Sequence, residues 1–292
     1  MPRRTTRYRR RARPYRRRRR FRKAAAFRSR RTRYFARRPA SRKRILSVSA
    51  IKKHDNMLSS VRSPDGVMTP GPIQVGTGFA SLFMPSARKL GHNTAGESAR
   101  ERQTTFSVGY KERVQVDILG GGVWKWRRLV FTYKGPRLYE GVNPPWHNKA
   151  IEPQSSDMVR LIGQPTTDQA QIIREVVWDG TEGIDWSSEF TAKPDTSRIT
   201  PIYNRIFTFN PRNESGYSRT FSLWHPTRQN IVYDEDEEGG AHAAPGSFVS
   251  VEGKPGMGDL YVYDIVYLAV PAMSGNGSMS WSPEGTYYWH ER

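Results

Sequence analysis

The sequence contains no cysteine among its 292 residues. Disulfide scaffolds, thiolate zinc sites and cysteine nucleophiles are therefore excluded. Acidic residues are absent from the first 53 positions, although the whole chain holds 27 of them. Long apolar runs are missing too, since the longest, Leu260–Met273, is interrupted by Asp264 and is shorter than the ~20 residues of a membrane-spanning helix. We therefore expect no contact with a membrane.

Catalytic and metal-binding motifs are also missing. The chain has neither a G-x-S-x-G nor an H-E-x-x-H motif, and Gly120–Gly122 lacks the Lys-Ser/Thr that follows a phosphate-binding loop. The histidines are scattered without the spacing of metal ligands: His54, His92, His147, His225, His242 and His290. We predict that the protein is not an enzyme and uses no metal or cofactor.

Positive charge is concentrated at one end of the chain, whose net charge is +21. Residues 1–53 hold 25 of the 48 basic side chains and no acid, so this arm carries +25. Residues 54–292 hold the other 23 basic side chains and all 27 acids, which gives −4. The sequence therefore predicts a basic arm over 1–53 and a folded domain over 54–292, which begins with a loop-rich segment over 54–100.

The arm has the composition of a disordered segment that binds nucleic acid. Its like charges repel, and its few aliphatic side chains do not offset the entropy lost on ordering. Guanidinium groups pair with phosphate oxygens, and interleaved aromatic rings stack on unpaired bases. The residues predicted to bind nucleic acid are Arg3, Arg4, Arg7, Tyr8, Arg9, Arg10, Arg11, Arg13, Tyr15, Arg16, Arg17, Arg18, Arg19, Arg20, Phe21, Arg22, Lys23, Arg28, Arg30, Arg31, Arg33, Tyr34, Arg37, Arg38, Arg42, Lys43 and Arg44.

The five consecutive arginines Arg16–Arg20 also fit a nuclear-localisation signal, which requires only a short basic run. A mitochondrial transit peptide is disfavoured, because these arginines would leave no apolar face on a helix. A secretory signal is not expected either, since no apolar stretch follows the basic one. We therefore expect the nuclear import machinery to be a partner of the arm.

An alternating pattern predicts the clearest strand of the folded domain. One face is apolar and carries Phe106, Val108, Tyr110, Val114, Val116 and Ile118, with Glu112 as its one exception. The other face carries Ser107, Gly109, Lys111, Arg113, Gln115 and Asp117. The glycines at 120–122 then predict a hairpin turn into a second strand over Trp124–Tyr133.

Seven further segments are strand candidates: Met158–Ile162, Gln171–Trp178, Pro201–Phe209, Tyr217–Trp224, Ile231–Tyr233, Leu260–Val270 and Thr286–Trp289. The residues Thr166–Ile173 also fit a short helix, with Asp168 near its N-terminus. The stretch Ser63–Gly96, with scattered Pro and Gly, is typical of a linker and surface segment. About eight strands with long, unequal connections favour an all-β fold, an eight-stranded jelly-roll sandwich.

Two local clusters have more than one interpretation. The run Asp234, Glu235, Asp236, Glu237 and Glu238 fits a solvated loop, and it also fits a contact to basic residues of a neighbouring subunit or a shared calcium site. Trp124–Arg128 combines aromatic and basic groups that suit nucleic acid. Strand alternation, however, sends Trp124, Trp126 and Arg128 to one face, so part of this cluster is expected to be packing.

The layout of the chain resembles the capsid proteins of small circular single-stranded DNA viruses. The arm, which begins Met-Pro-Arg-Arg, is similar to those of circoviruses and genomoviruses, and Tyr217–His225 and Leu260–Tyr267 are more similar to genomovirus and geminivirus capsid proteins. The resemblance implies a jelly-roll subunit and an icosahedral T=1 shell of about 60 copies. It also implies arms turned inward onto a circular single-stranded DNA genome, and a protein found in the virion and the host nucleus.

Two other functions remain open from the sequence. An RNA-virus coat protein would have a similar arm, because arginine and stacking aromatics serve DNA and RNA alike. A ribosomal or chromatin-associated protein with a basic tail is less favoured, since such proteins usually spread basic residues over the folded domain as well. Here that domain is net acidic.

Overall fold

Alternating and continuous apolar segments build a protein made mainly of β-strands. The computed structural model describes residues 48–63, 67–91, 98–139, 158–211, 216–235, 247–272 and 277–292. The strands are β1 (Ile51–Met57), β2 (Ser59–Arg62), β3 (Met68–Pro70), β4 (Ile73–Val75), β5 (Gly78–Phe83), β6 (Thr104–Leu119), β7 (Val123–Tyr133), β8 (Arg160–Ile162), β9 (Thr200–Phe209), β10 (Tyr217–Val232), β11 (Asp259–Val270) and β12 (Ser278–Glu291). They are accompanied by a 3₁₀ turn (Pro136–Leu138) and the helix α1 (Thr167–Val177).

Nine of these strands form two antiparallel sheets, and eight of the nine make up the two main strand orders. The first sheet has the order β1-β12-β6-β10, with β4 also paired to β12, and the second has the order β5-β11-β7-β9. Counted in chain order, the eight strands read 1-8-3-6 in one sheet and 2-7-4-5 in the other. This is the strand order of a jelly roll, in which two Greek keys form a double sheet. The predicted all-β jelly-roll sandwich is therefore confirmed.

Aromatic side chains fill the space between the two sheets. Trp126 on β7 stacks on Phe207 of β9 with 4.6 Å between ring centroids, and it meets Trp281 of β12 edge-on at 6.2 Å. Aromatic pairs in these geometries contribute about 0.5–1.5 kcal/mol each beyond the burial of their surface. These aromatic side chains therefore stabilise the packing of one sheet against the other.

The outward face of the second sheet is covered by helix α1 and the segment 178–199. Ile173, Val176 and Val177 of the helix are buried. Within the covering segment, the ring of Phe190 lies 4.5 Å from that of Tyr267 on β11. By contrast, the outward face of the first sheet exposes the side chains of β6 and β10 that point away from the core.

The helix confirms one prediction and corrects another. Thr166 caps α1, and its hydroxyl and the side chain of Gln169 form a reciprocal capping box. The strand predicted for Gln171–Trp178 is wrong, because these residues form the second half of the helix. Their buried members recur at the spacing of a helix face and not at the spacing of a strand. No helix within the described ranges is long and apolar enough to cross a membrane.

The predicted faces of β6 hold only over part of the strand. From Tyr110 to Ile118 the apolar residues are buried as expected. Val108 is the extra residue of a β-bulge opposite Tyr288 and Trp289, so the side-chain phase changes there. Thr105 and Ser107 are buried in place of their apolar neighbours, which alternation alone did not predict.

The segment over 54–100 holds more regular structure than its composition suggests. The strands β2 to β5 lie within it, and β5 is a full member of the second sheet. The linker interpretation of Ser63–Gly96 is therefore wrong for β3, β4 and β5. These strands are only three to six residues long, and the Pro and Gly residues scattered around them favoured the linker interpretation. β1 crosses the position at which the arm was predicted to end, so that Lys52 and Lys53 belong to the first sheet, where Lys53 is buried and pairs with Glu291. Residues 1–50, which precede β1, carry +23.

Candidate nucleic-acid interface

The residues predicted to bind nucleic acid, from Arg3 to Arg44, all lie outside the described part of the chain. The same holds for the nuclear-localisation candidate Arg16–Arg20. Both assignments therefore remain predictions from the sequence.

The acidic run is described only at its start. Glu235 pairs with Arg100, whose guanidinium is buried and lies 3.8 Å from the ring centroid of Tyr233. This carboxylate is thus engaged within its own chain. Asp236–Glu238 lie outside the described residues, and the subunit contact or calcium site remains a prediction.

The Trp124–Arg128 cluster belongs to the interior. Trp124, Trp126 and Arg128 are completely buried between the sheets, so the nucleic-acid interpretation is wrong for these three side chains. On the other face, Arg127 donates to the carbonyl oxygen of Ala192 at 2.9 Å and lies 4.3 Å from the ring centroid of Trp178. Four of the five residues are therefore packing, as the alternation of side chains along the strand had indicated in part, and Lys125 is partly exposed.

Basic, acidic and aromatic side chains meet instead on the outward face of the first sheet. The register places Lys111 of β6 opposite Trp224 of β10 and Thr286 of β12. Arg113, two residues further on, lies opposite Glu284 of β12. Much of the rest of this face is small and hydroxylated: Ser218, Thr220, Ser222, Ser280 and Ser282.

Three rings form a row across this face. The ring centroid of Tyr288 on β12 lies 5.8 Å from that of Trp224 on β10 and 6.0 Å from that of His54 on β1. The row crosses β6 at Gly109, where a Cβ atom would come within 2.8 Å of the Trp224 ring. Gly109 therefore leaves the space that the indole occupies. We call Trp224, Tyr288 and His54 the aromatic row.

A pocket of about 500 Å³ opens beside the aromatic row. Its walls include Tyr288, the basic side chains of Lys111 and Arg113, and the carboxylate of Glu284. The volume lies within the range of roughly 300–1,000 Å³ that is typical of small-ligand sites. A stacking ring, two cations and one hydrogen-bond acceptor are thus brought to one place.

Sequence analysis placed Lys111 and Arg113 on the polar face of a strand but did not identify this site. Trp224 and Tyr288 entered it only as members of strands. The available signal was a large aromatic residue at a position where alternation predicts exposure. Trp224 is such a position, because it follows Thr220 and Ser222 on the polar face of a strand whose other face carries Phe221 and Leu223.

Beneath this face, four charged side chains are completely buried: Glu112 on β6, Arg128 on β7, Arg160 on β8 and Asp264 on β11. Arg128 donates to Asp264 at 2.7 and 2.9 Å and also pairs with Glu112. Arg160 donates to Glu112 at 2.7 Å and to Asp264 at 2.8 Å. Each guanidinium therefore contacts both carboxylates, and the four charges cancel. We call these residues the buried charge network.

Two neutral donors complete the buried charge network. The Tyr110 hydroxyl donates to Glu112 at 2.7 Å, and the indole N–H of Trp126 donates to Asp264 at 2.8 Å. Such additional hydrogen bonds are what make the burial of ion pairs tolerable. Because its members come from both sheets and from β8, the network ties three separate parts of the fold together.

The network also fixes the charge of its members. Burial alone would raise the pKa of Glu112, but the guanidinium groups of Arg128 and Arg160 outweigh it and hold the pKa at about 2. Burial likewise opposes the charge of both arginines, and the carboxylates outweigh it and raise their pKa values above the ordinary range. Glu112 and both arginines are therefore charged at neutral pH.

Two other buried groups respond to pH in opposite directions. Burial lowers the pKa of His225 to about 3 and raises that of Asp259 to about 7. The Asp259 carboxylate accepts hydrogen bonds from the backbone N–H and the hydroxyl of Ser250, both at 3.0 Å. At neutral pH His225 is therefore neutral, and Asp259 is divided between its two protonation states.

We expect Asp259→Asn to make stability rise with pH between about 4.5 and 6.5. In this window the native Asp259 holds a proton that the unfolded chain has lost, so its contribution to stability falls as pH rises. The contribution of His225 to stability rises with pH in the same window, because its imidazole is protonated in the unfolded chain and neutral in the native state. The two effects offset each other in the parent chain. The variant retains the His225 contribution, a slope of up to about 1.4 kcal/mol per pH unit, and burial also lowers the pKa of His290, which adds to the slope in the same direction.

Urea unfolding at several pH values measures this slope. Ser247→Ala, beside the same segment but without a titrating group, serves as the control and should keep the pH profile of the parent. Identical pH profiles for Asp259→Asn and the parent would contradict the assignment.

Comparison with known proteins identifies no family. No protein-family model matches the chain, and neither does any curated protein. Among solved structures, the chain is similar to the VP1 protein of trichodysplasia spinulosa-associated polyomavirus in complex with sialylated glycooligomers, at 8% identity, a TM-score of 0.09 and coverage of 82% of this chain and 78% of the other. The complex of the same protein with 3'-sialyllactose gives 9% identity, a TM-score of 0.09 and coverage of 82% and 79%. Similarities with so low a TM-score carry no argument about fold or function.

Proposed function

We propose that this protein is a viral capsid protein that assembles into an icosahedral shell and packages circular single-stranded DNA through its arginine-rich arm. The observation that carries this proposal is the separation of charge along the chain. Residues 1–50 carry +23 and precede a domain of −2 over 51–292, and that domain is a jelly roll. The arm is suited to condensing a polyanion, and the domain is suited to packing beside copies of itself.

The fold alone supports several functions. Jelly rolls occur in viral capsid proteins, lectins and cupins, so the strand order does not decide between them. The arm has 21 arginines and interleaved aromatic rings. Such an arm suits a viral capsid protein, because a capsid subunit must bind the nucleic acid that the shell encloses. Subunits that carried the +23 of residues 1–50 on their contacting surfaces would repel one another, whereas a nearly neutral domain does not.

The amount of charge fits the proposal in scale. A shell of about 60 copies, each with +23 on residues 1–50, brings roughly 1,400 positive charges to its interior. That number neutralises most phosphates of a genome one to two thousand nucleotides long, with counterions for the remainder. The same arm, through Arg16–Arg20, would carry the protein into the host nucleus by way of the import machinery.

An RNA-virus coat protein is the second candidate, since the arm suits RNA equally well. A ribosomal or chromatin-associated protein is the third, and the net negative charge of the folded domain argues against it. The identity of the bound nucleic acid separates the first two candidates, and self-assembly separates both from the third.

The test is to express the full chain, treat the purified material with nuclease and view it by negative-stain microscopy. We expect uniform shells, from which extraction releases nucleic acid that is digested by a single-strand DNase and resists RNase. Shells that protect only RNA would support the coat-protein alternative. A soluble monomer at high protein concentration and low salt would contradict both capsid proposals.

A further inference from the structure

We propose that the outward face of the first sheet is a second binding site for single-stranded nucleic acid, in which an unpaired base stacks on the aromatic row and its flanking phosphates contact Lys111 and Arg113. This inference rests on the proposed packaging function and extends it from the arm to the folded domain. In this proposal the jelly roll itself also binds the genome.

The exposure of Trp224 is the first observation behind the proposal. Its side chain is 44% exposed, whereas five other tryptophans, Trp124, Trp126, Trp178, Trp281 and Trp289, are at most 1% exposed. The indole lies on a sheet face that is otherwise polar, and the backbone accommodates it with a glycine at position 109. An exposed ring that is held in place in this way is available for stacking on a base.

The second observation is the charge beside the rings. Lys111 and Arg113 project from β6 on the same face as the aromatic row, and both line the pocket with Tyr288. Aromatic rings that stack on bases, next to cations that follow the backbone, are the usual combination in sites for single strands. Glu284 in the same wall can accept a hydrogen bond from the amino group of a base.

The rings also favour a single strand over a duplex. Stacking on a side chain needs a base whose face is free, and the bases of a duplex are already stacked on one another. A second copy of the protein is the other possible occupant of this face. It would contact the same residues, but its binding would not depend on added nucleic acid.

Photochemical cross-linking of the full chain to a bromodeoxyuridine-substituted single strand tests the proposal. After digestion, mass spectrometry locates the cross-linked peptides, and we expect them in the arm and also around Tyr288 or Trp224. Tyr288→Leu should lower the cross-link yield in the domain at least about fivefold, which corresponds to the smallest measured stacking contribution. Tyr288→Phe keeps a ring and should retain most of the yield.

A matched pair of charge variants separates a specific site from general attraction. Lys111→Gln with Arg113→Gln removes two positive charges from the proposed face, and Arg205→Gln with Arg219→Gln removes two exposed charges from β9 and β10 elsewhere. Only the first pair should reduce domain cross-links, and it should lower the salt slope of binding by about 1.4, or 0.7 per lost phosphate contact. Melting temperatures confirm that all variants are folded.

The outcomes distinguish this inference from the proposed function. Cross-links confined to the arm, with equal effects of the two charge pairs, would overturn the second site and leave packaging by the arm intact. Absence of any cross-link and of any bound nucleic acid at low salt would overturn both. Protection of Tyr288 by self-association without nucleic acid would assign the face to a subunit contact and overturn the inference.

Discussion

Deletion of residues 1–44 is expected to lower the affinity for single-stranded DNA at least roughly 100-fold at physiological salt, while the jelly roll stays folded. The deletion removes 23 of the 48 basic side chains and changes the net charge from +21 to −2. Counterion release, the main source of non-specific affinity for nucleic acid, depends on those charges. Fluorescence anisotropy with a labelled oligonucleotide measures the affinity, and circular dichroism reports the fold.

A second variant keeps the charge of the arm and changes its chemistry. Replacement of all 21 arginines in the arm by lysine should preserve the salt slope of binding, because the number of neutralised phosphates is unchanged. Affinity should nevertheless fall, since an ammonium neither forms the two-pronged contact with phosphate nor stacks on bases. For the deletion of residues 1–44, an unchanged affinity for single-stranded DNA and unchanged nuclear accumulation would contradict the role proposed for the arm.

The substitution Asp264→Asn is expected to give the largest loss of stability in the folded domain. It leaves Arg128 and Arg160 completely buried with Glu112 as their one carboxylate. Breaking a buried ion pair in this way typically costs about 3–5 kcal/mol, because an uncompensated charge remains inside. For a domain of this size, the melting temperature should fall by roughly 10 °C.

The exposed pair of Asp179 and Lys193 provides the matched control. Their charged atoms lie 3.5 Å apart, and both side chains are more than half exposed. Asp179→Asn should therefore change the free energy of unfolding by less than about 0.5 kcal/mol. Similar melting temperatures for the two variants would show that the buried charge network contributes no more than a surface ion pair.

Sequence reasoning recovered the class of the fold because the long strands carry their own signal. β6 and β7 were predicted nearly to their ends, since 16 and 11 residues are enough for alternation to be recognised. Helix α1 was recognised only at its start, where Asp168 follows the capping residue. The strands β3 and β4, with three residues each, lie among scattered Pro and Gly residues, and this composition indicated a linker instead.

The buried charge network was visible in the sequence only as two irregularities. Glu112 interrupted the apolar face of a strand, and Asp264 interrupted the longest apolar run. Each meets an arginine that is distant in sequence: 48 residues separate Glu112 from Arg160, and 136 separate Asp264 from Arg128. Such pairs depend on the alignment of strands across the fold, which local periodicity does not specify.

The outward face of the first sheet was missed for the same reason. His54, Tyr288 and Trp224 stand on β1, β12 and β10, and they form a row only because three registers coincide across β6. Composition had directed attention to the arm, where basic and aromatic residues are neighbours in sequence. In the first sheet, basic and aromatic residues that are distant in sequence become neighbours in space.

The number of nucleotides protected per protein chain in purified, nuclease-treated shells tests the packaging proposal most directly. If the arm condenses the genome inside a wall of jelly rolls, charge matching predicts about 23 nucleotides of single-stranded DNA for each arm, whose residues 1–50 carry +23. The value should fall at least about fivefold in shells from which residues 1–44 are deleted, because only the site on the folded domain remains. Full-length shells that contain no protected nucleic acid would contradict the account.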